Sequence, residues 1–267
     1  QVMRHVTEMH HDIDVVATAD AALIPMLMYA SNVPETGVPY ADWYIKFASN
    51  ELALAYTPRS RYAEEIDTGN WFEILARDDV LFGLSDPRFD AAGYRSLMVF
   101  SLMENELARY DLFAPVFEGQ FRYPITIFRD DALTTITVPE ILETTDDAHI
   151  LLRGGSIMLI ALLESGEIDY AFEYESVIKQ HGLEMIILPD AVNMGKADFE
   201  DFYEAVQVDL DFQRFISIKP QFRGERIGYG ITIPANARHQ EEAALFIAFL
   251  LSPEGQAIME ANQHPLF

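Results

Sequence analysis

Two short loops carry the residues whose types and spacing could do chemistry. The first is Ser85-Asp86-Pro87-Arg88-Phe89-Asp90-Ala91-Ala92-Gly93. It follows the apolar run Val80-Leu81-Phe82 and leads into Leu97, Met98, Val99, Leu102 and Met103, which recur at helical spacing. The second, Arg153-Gly154-Gly155-Ser156, follows Ile150-Leu151-Leu152 and leads into the apolar run from Ile157 to Leu163. Strand-loop-helix junctions of this kind leave N–H groups unpaired at the helix start, and those groups attract anions. In the second loop the glycines expose backbone N–H groups and the serine adds a donor. An anion cradle is one reading of it, and a plain connection with Ser156 capping its helix is the other. In the first loop the small residues allow close backbone approach, and Asp86 and Asp90 either cap the helix or contact a ligand. Arg153 either adds positive field to a pocket or pairs with surface carboxylates. Thr18, at a strand end, either donates to a ligand or caps the next turn. Tyr174 reads as core or cleft wall, and the flanking Glu173 and Glu175 are not read as an acting pair.

Other chemistries lack their residues. There is no Walker phosphate loop, zincin helix, calcium loop or G-x-S-x-G elbow, and no nucleophile-base-acid constellation. The seven histidines share no metal-ligand spacing with acidic partners, and with no cysteine there are no disulfides or thiolate sites. Acidic residues number 43 against 18 basic ones, a formal charge of -25 over 267 residues. The lysines are Lys46, Lys179, Lys196 and Lys219, too scattered to form a basic stripe, so nucleic acid is not an expected partner. No apolar run reaches transmembrane length: Ile157 to Leu163 stops at Glu164. Gln1-Val2-Met3-Arg4-His5-Val6 carries no signal core, which fits either a cytosolic protein or one whose targeting segment was removed.

The elements that must position these loops alternate. Asp14 to Asp20, Glu51 to Tyr56, Tyr170 to Tyr174, Met185 to Leu188 and Ile227 to Pro234 read as strands. Ala21 to Tyr29, Ser176 to His181, Glu241 to Leu251 and Pro253 to Ala261 read as helices, with Pro25 in the first turn of its own. Ile125 to Phe128 and Thr135 to Val138 read as strand-like pieces, and Thr57-Pro58-Arg59-Ser60 as a hinge or domain crossing. Strands alternating with helices predict α/β architecture with sheets covered on both faces.

In Ala17-Thr18-Ala19-Asp20, Tyr40-Ala41-Asp42-Trp43-Tyr44, Asn50 to Tyr56, Ser85-Asp86-Pro87, Gly93 to Val99 and Leu163 to Tyr170, the chain resembles the archaeal tungstate/molybdate-binding proteins of ABC uptake systems. The resemblance runs from about Asp14 to Phe267. It implies a type II periplasmic-binding fold, two lobes with mixed β-sheets flanked by helices and an oxyanion held between them. Residues 1–56 and 216–267 are then expected in one lobe and 57–215 in the other. The implied ligand is molybdate or tungstate, with no cofactor, no conversion of the anion and delivery to an ABC permease in the membrane. The implied location is the extracellular face or a periplasm-like space, after loss of a targeting segment and with a lipid anchor as one arrangement. By position Asp90 matches the family's aspartate ligand, Ala92 lies where bacterial relatives offer a backbone N–H, and Tyr174 falls where they make an oxygen contact. Thr18 lies near the pocket rim of the first lobe. Ser156 occupies the place of the family's second carboxylate, a glutamate, which makes the pocket less negative and richer in donors. Family members also begin with a further segment bearing two serine loops that this sequence does not include.

Two other functional classes stay open: a binding or sensory module of altered specificity for another anion or a small organic carboxylate, and an enzyme on the same fold. The acidic surplus is spread along a well-patterned chain, as expected of a surface suited to salt, where screening weakens self-repulsion. The melting temperature is therefore expected to rise from dilute buffer to molar NaCl. A flat or falling series would contradict this reading of the charge.

Overall fold

The computed structural model describes residues 2–34, 36–130, 132–212, 219–264 and 267. In chain order the elements are α1 (Val2–Thr7), β1 (Val16–Thr18), a π-helix (Ile24–Tyr29), β2 (Ile45–Ser49), β3 (Leu52–Tyr56), α2 (Trp71–Leu75), β4 (Phe82–Ser85), α3 (Ala91–Leu107), α4 (Phe113–Phe117), β5 (Thr126–Arg129), β6 (Thr134–Val138) and β7 (Ile150–Arg153). They continue with α5 (Ile157–Ser165), β8 (Tyr170–Tyr174), α6 (Glu175–His181), β9 (Glu184–Ile187), a 3₁₀ turn (Ala197–Phe199), α7 (Glu200–Tyr203), β10 (Val206–Leu210), β11 (Gln221–Arg223), β12 (Gly228–Thr232), α8 (Gln240–Leu250) and α9 (Pro253–Ala261). No single described helix is long and apolar enough to cross a membrane.

The chain forms two compact units, Gln1–Asn50 with Ile227–Phe267, and Glu51–Arg226. The first unit holds an antiparallel sheet of order β1-β12-β2, with a register shift between Tyr229 and Gly230. A side chain at Gly230 would lie 2.8 Å from Ile24 Cδ1, so the glycine lets the π-helix settle on this sheet. Buried Val16, Ile24, Met28, Tyr40 and Ile231 fill its core.

The second unit holds a five-stranded sheet of order β7-β4-β8-β3-β9 and a four-stranded sheet of order β11-β10-β6-β5. β4 runs parallel to both β7 and β8, while β3 is antiparallel to β8 and β9. Strand alternation divides β8 between two packings. Phe172 joins Trp71, Phe82 and Phe100 in edge-to-face contacts at 5.6–5.9 Å between ring centroids, on the α3 face. Ala171 packs with Ala53, Ala55, Leu159, Leu163, Ile168 and Ile178 on the α5 face. Helix α3 touches β8 and β4 on one side and β10 and β6 on the other. That placement explains why it is buried without interruption from Ala92 to Glu104. Glu104, at its inner end, accepts from the N–H groups of Leu112 (2.9 Å) and Phe113 (3.0 Å) and pairs with Arg129.

The observed division differs from the expected one in where the chain changes unit. Glu51 to Tyr56 was expected in the first lobe, but β3 pairs with β8 and β9 and so belongs to the second unit. The Thr57-to-Ser60 hinge is a closed turn within that unit, with Ser60 N–H donating to Thr57 O (2.9 Å) and Thr57 N–H to Ser60 Oγ (3.0 Å). The second expected crossing, at 215/216, falls in residues 213–218, outside the described residues.

The start of α3 lies hard against the loop before it. A Cβ on Gly93 would meet Ser85 O at 2.3 Å and Pro87 N at 2.7 Å, backbone atoms that cannot move aside singly. Gly93→Ala is therefore expected to destabilise the protein by about 3 kcal/mol in chemical denaturation. A change within ~0.5 kcal/mol would show that the loop yields freely.

Candidate functional site

Because β4, β7 and β8 are parallel neighbours, their carboxyl ends emerge at one edge of the five-stranded sheet, where open α/β sheets hold ligands. The loops 86–90 and 154–156 therefore lie side by side. Asp86 N–H extends the ladder by donating to Arg153 O at 2.7 Å. The Asp86 side chain is buried and fully used. Arg88 grips it through Nε (2.9 Å to Oδ1) and Nη2 (2.6 Å to Oδ2), and Arg88 Nη1 ties the loop to Glu140 O at 2.5 Å. The helix-capping role open to Asp86 falls to Asp90 instead, and the Asp86 carboxylate is held by Arg88.

Asp90 sits at the crossing point of the two loops. It is the N-cap of α3, with Oδ1 accepting from Ala92 N–H at 3.0 Å. Its Oδ2 accepts from Ser156 N–H, the start of α5, at 2.5 Å. One carboxylate thus takes a donor from each of two helix starts, the favourable end of both macrodipoles. Ser156 is buried at the N-cap position of α5, yet its hydroxyl makes no capping bond there. Arg153 is half-buried, and its Nη1 folds back onto Leu152 O at 2.9 Å.

Two further groups lie beneath the start of α5. Ser85 and Glu173 are each 2% exposed. By alternation along β4 and β8 they fall on the same α5 face as Gly83 and Ala171, which are paired across the two strands. Glu173 Oε1 accepts from Tyr174 N–H at 2.7 Å, whereas its Oε2 and Ser85 Oγ are buried without a hydrogen-bond partner. Burial pushes the Glu173 carboxyl up to about 7, the Tyr174 N–H and Ser156 hydroxyl pull it down, and the Asp90 charge adds to the rise. Tyr174 points to the opposite face, where its hydroxyl accepts from Nη1 of the buried Arg95 at 2.5 Å.

The structure therefore brings Asp90, Ala92 and Ser156 into direct contact. Arg153 ends β7 and Tyr174 ends the neighbouring strand, with its hydroxyl committed to Arg95. Thr18 is in the first unit, where its Oγ1 accepts from Asp20 N–H at 3.2 Å. Sequence reasoning missed Ser85, Arg95 and Glu173. The available signal was the parity of Glu173 with Ala171 in a strand flanked by helices. No group of three or more described His, Cys, Asp or Glu residues is placed to hold a metal ion.

A family model described as bacterial extracellular solute-binding protein matches residues 2–262. Curated relatives named molybdate/tungstate-binding protein come from Pyrococcus abyssi, 38% identical over 98% of this chain and 71% of the relative, and Thermococcus kodakarensis, 37% identical over 97% and 68%. An uncharacterised solute-binding protein of Staphylothermus marinus is 35% identical over 99% of this chain and 72% of its own. Among solved structures, the sulfate-binding protein of Mycobacterium tuberculosis matches with a TM-score of 0.56 at 13% identity, covering 98% of this chain and 71% of that one. The periplasmic molybdate-binding protein of Azotobacter vinelandii matches with 0.51 at 13% identity, covering 96% and 80%. The fold is accordingly the type II periplasmic-binding fold, with mixed β-sheets flanked by α-helices.

Glu173 makes a pH-dependent contribution whose sign follows from its raised value. Between the ordinary 4.5 and about 7 the folded state keeps a proton that the unfolded chain has released, so stability falls as pH rises through that window. Relative to Glu173→Gln, the native protein is expected to be equally stable near pH 4 and weaker by about 3 kcal/mol at pH 8. Parallel denaturation curves with a gap independent of pH would contradict this.

Proposed function

The chain belongs to the bacterial extracellular solute-binding protein family, and from that premise we propose that it captures molybdate or tungstate outside the cytoplasm for the membrane permease of an ABC importer. It is a binding protein, and it delivers its ligand unconverted. The observation that carries the reading is the convergence of Ala92 N–H and Ser156 N–H on one negative group at the edge of three parallel strands. Backbone donors fixed at helix starts need no reorganisation to meet an oxyanion, and they favour its charge. The Ser156 hydroxyl is an added donor, Arg153 supplies positive field, and Asp90, which stands where the resemblance places an aspartate ligand, lies against both helix starts. The names of the two relatives that match nearly the whole chain at 37% and 38% identity support molybdate or tungstate as the ligand.

Ser156, where the family carries a glutamate, favours a second reading: a module of altered specificity that holds a tetrahedral oxyanion such as sulfate by hydrogen bonds alone. The two readings separate in titration calorimetry with molybdate, tungstate, sulfate and phosphate. The first expects molybdate and tungstate to bind at least about tenfold more tightly than sulfate, a difference of roughly 1.4 kcal/mol. The second expects sulfate to match them. Absence of heat with all four anions would reject oxyanion capture.

A further inference from the structure

A cleft of about 560 Å³ opens at the far end of α3. It lies between Asn105 near the end of that helix, Tyr110 in the turn that follows, Arg129, Asp130 and Thr134 around the β5–β6 turn, and Phe202 of α7. Asn105 is about 22 Å along α3 from the Asp90 cap, so this is a different place from the carboxyl edge of β4, β7 and β8. The volume falls in the range of small-molecule sites, about 300–1,000 Å³. Backbone hydrogen bonds fix the frame. Thr134 N–H donates to Ala205 O at 2.8 Å, and Asp130 Oδ1 accepts from Ala132 N–H and Leu133 N–H, each at 2.8 Å.

The lining sets both signs of charge beside aromatic rings. The Arg129 guanidinium lies 5.6 Å from the centroid of the Tyr110 ring, and its Nη2 pairs with the fully buried Glu104. Its Nε is buried with no partner among the described residues, so Glu104 leaves part of this five-donor group unmatched. Asp130 is exposed, and the Ala132 and Leu133 N–H groups hold its carboxyl below the usual carboxylate range, so it is ionised at neutral pH. Tyr110 is 60% exposed and Phe202 half-buried, and Asn105 and Thr134 add an amide and a hydroxyl.

We propose that this cleft binds a zwitterionic α-amino acid with an aromatic side chain: the carboxylate on Arg129, the ammonium on Asp130 and the ring against Tyr110 and Phe202. In a chain of formal charge -25 such a ligand meets each local charge with its opposite and brings no net charge for the surface to repel. An anion of the same size faces that repulsion and Asp130, and a cation leaves the Arg129 donors unmatched. The site stands independently of oxyanion capture.

The probe is L-phenylalanine, titrated calorimetrically into the native protein beside phenylacetate, which lacks the ammonium, and phenethylamine, which lacks the carboxylate. Phenylalanine is expected to saturate one site below about 10 mM, with each single-charge analogue at least about tenfold weaker. Asp130→Asn keeps an acceptor for the turn and removes the charge, and Tyr110→Ala removes a wall. Both positions are exposed, so both variants are expected to melt as the native protein does and to bind phenylalanine about tenfold more weakly. No saturation by phenylalanine, an analogue that binds as tightly, or undiminished binding in either variant would overturn the proposal. None of these outcomes bears on molybdate titrations of the same protein.

Discussion

A single carboxylate joins the starts of two helices that lie on opposite faces of a sheet. β4 and β7 are adjacent and parallel, so the loops that leave them are neighbours, while the helices they enter, α3 and α5, cover different faces. Asp90 spans the sheet edge between them, taking Ala92 N–H on one side and Ser156 N–H on the other. Hydrogen bonds to a charged acceptor contribute about 1.5–3 kcal/mol each, and both here lie at the positive ends of helix dipoles. Much else follows from this bridge. Gly93 must be a glycine because α3 begins pressed against the loop that delivers Asp90. Arg88 and Asp86 lock that loop. Ser156 holds the N-cap position of α5 with its N–H on Asp90 and without a capping bond from its hydroxyl.

The other buried carboxylates of the second unit set these two apart. Asp86 is neutralised by Arg88, Glu104 by Arg129 and Asp169 by Arg61. A guanidinium or several backbone donors offset the desolvation of each. Glu173 has no guanidinium partner, so burial, which the Tyr174 N–H and the Ser156 hydroxyl only partly offset, and the Asp90 charge push its carboxyl up to about 7. In a chain with 43 acidic residues and 18 basic ones, arginines are spent on structural carboxylates, and the acids at the start of α5 are left facing helix dipoles and hydroxyls.

Local pattern made much of this legible in the sequence. Pro253–Ala261 reads as a helix to the residue because Ser252 caps it and proline opens it. Ile24–Tyr29 reads as helical around Pro25, although its turn is the wider π form. Both functional loops stood out because glycines and small residues interrupt a strand-to-helix change. What escaped depends on pairing between distant segments. Leu52–Tyr56 looks like a strand from either unit, and only its bonds to β8 and β9 decide its place. Glu173 looks like an ordinary acid until β8 is known to be central, with both faces covered. Asp90 and Ser156 were each ambiguous between capping and binding, since neither residue's neighbourhood shows that they share one hydrogen bond.

The most direct test is diffraction at the tungsten absorption edge from crystals of the protein grown with tungstate. The account predicts an anomalous peak at the carboxyl edge of β4, β7 and β8, within contact distance of Ser156 N. A tungsten peak elsewhere on the chain would contradict it.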